Sequence, residues 1–140
     1  MYSKGSSSKV TKYCLQPSYG YNDFKDSKLE LDPEDDAATA NWGASWHMPT
    51  YDQVNELTQN CSKEWTTLNN ITGILVTGPS GGQIFFPSEE SEWGPYGEYW
   101  TKILYEYDST HAWYMFFIGD TWECDSYYRY NGRRVRAVCQ

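Results

Sequence analysis

Ala112-Trp113-Tyr114-Met115-Phe116-Phe117-Ile118 is the apolar centre of the last third of the chain, Trp93 to Val138. Tyr99-Trp100 precedes it, and Tyr127-Tyr128-Arg129-Tyr130-Asn131-Gly132-Arg133-Arg134-Val135-Arg136 closes it. This third holds 14 of the 25 Trp, Tyr and Phe residues. Aromatic side chains bury large area at little entropic cost, which is how recognition faces are built. Period-two alternation directs Trp113, Met115 and Phe117 inward and Tyr114, Phe116 and Ile118 outward. Three outward apolar side chains at i, i+2 and i+4 read as a binding platform.

At 140 residues the chain fits one domain, residues 13–140, behind a polar N-terminus, residues 1–12, expected to be a disordered or linker segment. Aliphatic residues are scarce and aromatics reach 18%, so Trp, Tyr and Phe must supply much of the core. A net charge of −8 argues against nucleic-acid partners and against lying on an anionic membrane. No apolar run approaches the ~18 residues of a membrane span. Residues 1–12 lack the apolar segment of a signal peptide, so an exported protein is expected to appear here as a fragment or mature form. Cys14, Cys61, Cys124 and Cys139 admit several disulfide pairings, or stand as thiols, and none has zinc-site spacing.

Asp32-Pro33-Glu34-Asp35-Asp36 announces a helix, with Asp32 as N-cap, Pro33 in the first position and a stop at Gly43. The same acidic run has the composition of a calcium loop, although capping alone explains it. Thr50 and Gln53 form a capping box for a second helix whose Val54, Leu57 and Cys61 share one face. Trp65–Leu68 reads as a short strand, and Gly73–Thr77 and Gln83–Pro87 as a hairpin around Gly78-Pro79-Ser80-Gly81-Gly82. Residues 88–98 read as a glutamate-rich loop. Short strands follow at Tyr99–Thr101, Ala112–Ile118 and Arg134–Val138. Two helices with several short antiparallel strands indicate an α+β domain.

Asp35-Asp36-Ala37-Ala38, Asn41-Trp42-Gly43 and Trp46-x-Met48-Pro49-Thr50 resemble the helix and entry motif of C-type-lectin-fold domains. The group resembled is the bacterial one related to the formylglycine-generating enzyme, a set of paralogous modules in gut Bacteroidetes. Val76-Thr77-Gly78-Pro79 with Ile84-Phe85-Phe86-Pro87, then Gly97-x-Tyr99-Trp100 and Tyr128-Arg129-x-x-Gly132-x-x-Val135-Arg136, are similar to its hairpin and closing segments. The resemblance implies a C-type lectin-like fold with long ordered loops carrying a ligand surface. In one branch that surface is varied by diversity-generating retroelements, and its members look like pilus tips, surface lipoproteins or phage receptor-binding proteins. If adenines of AAC or AAT codons vary, Trp, Met and Lys cannot result. That rule permits Tyr105, Tyr107, Asp108, Tyr114, Phe116, Ile118, Asp120, Asn131 and Arg133 to vary, and it excludes Trp122, which sits in the same segment.

Catalysis is not expected. The thiol pair of formylglycine generation has no matching motif around Cys124 and Cys139, and His47 and His111 stand alone. The carboxylate and amide triplets of calcium-dependent lectins are absent. Neither a metal nor a cofactor is therefore expected. Asn60-Cys61-Ser62 and Asn70-Ile71-Thr72 match the glycosylation sequon, and the bacterial resemblance makes both coincidental. Arg129 and Arg136 are expected to form structural ion pairs, and Arg133 to be open to an anionic ligand. The sequence points to a non-catalytic module displayed on a cell surface or phage virion, alone or within a pilus or tail. Its expected protein or glycan ligand would meet Tyr105, Tyr107, Asp108, Tyr114, Phe116, Ile118, Asp120, Trp122, Asn131 and Arg133.

Overall fold

The computed structural model describes residues 5–139. Strands β1 (Gly5–Ser6), β2 (Lys9–Val10) and β3 (Trp46–His47) precede a three-stranded meander of β4 (Ser62–Leu68), β5 (Ile71–Thr77) and β6 (Gln83–Pro87). A four-stranded antiparallel sheet follows, in the order β10-β9-β8-β7, from β7 (Glu89–Ser91), β8 (Gly94–Leu104), β9 (His111–Ile118) and β10 (Thr121–Tyr128). The last strand, β11 (Val138–Cys139), pairs with β3. The helices are α1 (Ala37–Trp42) and α2 (Tyr51–Asn60). No helix among the described residues is long and apolar enough to cross a membrane.

The expected α+β, C-type lectin-like architecture is overturned. Strands take 44% of the described residues and helices 16%, which makes the fold mainly antiparallel β. Capping signals marked two helices without fixing their length, and α1 has only six residues. Its N-cap is Asp36, not Asp32, because residues 32–36 form a turn in which Asp35 N and Asp36 N both donate to Asp32 O. The α2 capping box forms as expected, with Thr50 and Gln53 exchanging side-chain bonds to each other's N–H. Residues 88–98 are a hairpin rather than a loop, since β7 pairs with the start of an eleven-residue β8. Residues 5–10, within the N-terminus expected to be a disordered or linker segment, form the β1–β2 hairpin, and Val10 is buried. The part of that expectation on residues 1–4 lies outside the described residues.

The four-stranded sheet has a core on each face. Trp100, Leu104, Ala112 and Tyr114 pack on one side with Tyr13, Leu31, Ala38 and Met48. Tyr99, Met115 and Phe117 pack on the other with Val54 of α2 and with Ile74, Val76 and Phe86 of the meander. Strand β9 is therefore covered on both faces, like the strands of a sheet between two layers.

Remote segments complete the outer edge of β8. Beyond β7, Arg134 bonds through Trp100 N→Arg134 O (3.0 Å) and Arg134 N→Glu98 O (3.2 Å). Lys102 N donates to Pro49 O, Leu31 N to Lys102 O and Leu104 N to Leu29 O. These bonds fix the segments around Leu29–Leu31, Pro49 and Arg134 along β8.

Candidate functional site

The ten residues singled out in the sequence do not form one face. Tyr114 and Ile118 lie at opposite ends of the run expected to point outward, and Tyr114 is only 7% exposed. Alternation places one side of a strand in solvent only when that side is bare, and here the first core covers it. Phe116 is half-buried and stacks on Tyr114 at 5.7 Å. Ile118 is half-buried and Asp120 exposed at the β9–β10 turn, roughly 20 Å along the strand from residue 112. Trp122 turns to the second core, where its Nε1 donates to Met115 Sδ at 3.2 Å. Asn131 is half-buried in the turn after β10, its N–H donating to Tyr128 O.

Arg133 is not open to a ligand. Its side chain is 4% exposed and its Cζ lies 4.5, 4.1 and 4.8 Å from the ring centroids of Trp100, Tyr114 and Tyr127. Nη2 donates to Glu98 Oε1 at 3.2 Å, whereas Nε, 3.1 Å from Oε2, is not aligned for a hydrogen bond. Arg129 is likewise internal, and Tyr13 O, Ser109 O and Lys12 O accept from it. That arrangement ties the N-terminal segment to the turn before β9.

Tyr105, Tyr107 and Asp108 do come together, at the β8–β9 turn. The turn is closed by Tyr105 N→His111 O and His111 N→Asp108 O. Tyr105 meets Tyr107 at 5.5 Å, Trp113 at 5.1 Å and His111 at 6.3 Å between ring centroids. The series continues through His111–Tyr128 at 4.2 Å to Tyr128–Tyr130, stacked at 5.2 Å. Tyr107 is 72% exposed and Tyr130 51%. Tyr127, Tyr128, Tyr130 and His111 were missed as a group because Tyr128 falls in the closing segment similar to the lectin-fold group and His111 stands alone in the sequence. The sequence signal was the closely spaced Tyr127, Tyr128 and Tyr130.

Beside this series lies a concavity of about 280 Å³ lined by Ser8, Tyr19, Asp108, Thr110, Tyr128 and Tyr130. Asp108 is fixed at its edge. Its Oδ1 accepts from Thr110 N (2.8 Å) and Thr110 Oγ1 (2.6 Å), and Oδ2 lies 3.2 Å from His111 Nδ1. Burial pushes the Asp108 carboxyl up, but the Thr110 bonds and His111 outweigh it and hold the group below its ordinary value. The site thus combines a fixed anion, hydroxyl groups and flat rings, which suits polyhydroxylated or peptide ligands.

The acidic run at the front of the domain has its own cations. Lys12 Nζ and Tyr13 Oη both reach Asp35 Oδ2 at 2.5 Å, and Lys28 Nζ pairs with Asp32. Cys14 is a buried thiol that donates to Gln16 O. Cys124 is half-buried, and burial, reinforced by the charge of Glu123, pushes its thiol up to about 11. No protein-family model, curated protein or solved structure matches the chain.

Proposed function

We propose that the protein is a non-catalytic recognition module that binds a protein or glycan ligand outside the cell or on a virion. The ligand meets the tyrosine series at the end of the four-stranded sheet, not the middle of β9. One observation carries this reading: the unbroken ring series Tyr107–Tyr105–His111–Tyr128–Tyr130. It runs from one exposed tyrosine to another beside the concavity that holds Asp108. Rings packed against one another lose little further freedom on binding, so their exposed faces are pre-organised for contact.

The test is a glycan and protein array probed with the wild type, Tyr107→Ala and Tyr130→Ala. Both tyrosines are exposed, so neither variant should lose its fold. Each is expected to weaken the ligand found by about tenfold or more. Equal binding by all three proteins would overturn the proposed face.

A further inference from the structure

A second concavity lies on the other side of the molecule. It holds about 340 Å³ between α2, the meander and β11, and Val54, Leu57, Ile84, Phe86, Met115 and Arg136 are among its walls. Its interior is mostly hydrocarbon, and its volume is in the range of small-molecule sites. A neighbouring groove of about 610 Å³, flanked by Trp42 and Trp46, shares Ile84 and Arg136 with it. The two adjoin at Ile84 and Arg136, and among the described residues Arg136 is the one charged residue that lines either.

That charge stands apart from the other arginines around it. Arg133 faces Glu98, Arg134 faces Glu89, and Arg129 reaches three carbonyls. Arg136 is exposed, its Cζ lies 6.0 Å from the centroid of the Phe86 ring, and among the described residues no carboxylate pairs with it. On a chain of net charge −8, a guanidinium without a carboxylate among the described residues, beside an apolar hole, is an unusual combination. An apolar chain with a terminal carboxylate complements both features, because the guanidinium fork matches a carboxylate and the walls match methylenes.

We propose that this cavity binds a linear hydrophobic carboxylate, with its chain among Leu57, Phe86 and Met115 and its head group on Arg136. The site is independent of the tyrosine series. The experiment titrates full-length protein at neutral pH with decanoate, decylamine and decanol, each below its micelle concentration. Calorimetry reads affinity, and the Met115 methyl resonance reports occupancy of the cavity. Decanoate is expected to bind saturably, one per chain, with a shift at Met115 and about tenfold tighter than decylamine or decanol.

Arg136→Met, at an exposed position, should erase that preference while leaving the melting temperature unchanged. Leu57→Trp should fill the cavity and abolish the Met115 shift. If that variant fails to fold, the wild-type Met115 response still decides. Tyr107→Ala should bind decanoate as the wild type does, which separates this site from the tyrosine face. Equal affinity for decanoate and decylamine, or decanoate binding without a Met115 shift, would overturn the proposal.

Discussion

Arg133 stands over the ring of Tyr114 with its Cζ 4.1 Å from the centroid, and the same guanidinium joins Trp100, Tyr127 and Glu98. A buried guanidinium among three rings welds the segment after β10 to the face of the sheet. Arg133→Met keeps most of the volume but leaves Glu98 without its partner. Glu98 is about one-third exposed, so water takes up part of that loss. We expect a loss of about 2–3 kcal/mol in urea unfolding, accompanied by a weaker near-ultraviolet dichroism from the loosened rings. Arg133→Lys should not restore stability, since an ammonium cannot spread over three rings and a carboxylate.

Asp36 is a second internal charge with a different task. Its side chain is 2% exposed and accepts from Ala38 N, Thr39 N and Met48 N, so it caps α1 and anchors the chain entering α2. Asp36→Ala leaves three N–H groups without this acceptor and should cost about 2–4 kcal/mol. Chemical unfolding checks the value. Asp32→Ala, at the position whose sequence context suggests the cap, should cost clearly less.

Gly97 faces Phe117 across the β8–β9 pair. A Cβ there would stand 2.1 Å from Phe117 Cζ, and the ring is fully buried with nowhere to retreat. Gly97→Ala is expected to destabilise by about 1–3 kcal/mol through overpacking. Gly132→Ala, where an added Cβ meets nothing within 4 Å, should stay within about 0.5 kcal/mol of the wild type.

Asp26 accepts from the backbone N–H groups of Tyr13 (2.7 Å), Cys14 (2.8 Å) and Lys28 (3.1 Å). Burial pushes its carboxyl up, but these donors and the Lys28 charge prevail and hold it below its ordinary value of 3.8. Asp35 is also held low: burial opposes this, and Lys12 and Tyr13 outweigh it. A depressed carboxyl binds its proton less readily in the folded chain than in the unfolded one. Its stabilisation is therefore complete above the ordinary carboxylate value and is lost as pH falls through the depressed one. Melting temperatures should drop steeply below about pH 4, and Asp26→Asn should flatten that acid limb.

Local chemistry was legible where it depends on near neighbours. The Thr50–Gln53 capping box, the 78–82 turn and its two strands can be read directly from the chain. Asp36 could not be chosen over Asp32, because its third donor, Met48 N, arrives from a loop twelve residues on. Pro95 and Gly97 disguise β8 as a loop, yet Pro95 lies near the strand's start and Gly97 is required by the ring of Phe117. At the site, Tyr105, Tyr107 and Asp108 are adjacent in sequence and stay together in space. Tyr114 was misplaced because alternation says nothing about a second layer over the same strand, and Arg133 because the rings and the Glu98 that enclose it come from distant parts of the sequence.

The piecemeal edge of β8 bears on how the chain folds. Leu29, Leu31 and Pro49 emerge before the strand they complete, while Arg134 emerges well after it. During synthesis, part of β8 waits with unpaired amides until the last clasp arrives. Closure is then a late, long-range event, and folding should be slow, on the millisecond-to-second scale of topologies dominated by distant pairings. Until then the waiting edge can pair with the wrong chain, so the demand on chaperones falls mainly before residue 134 has docked.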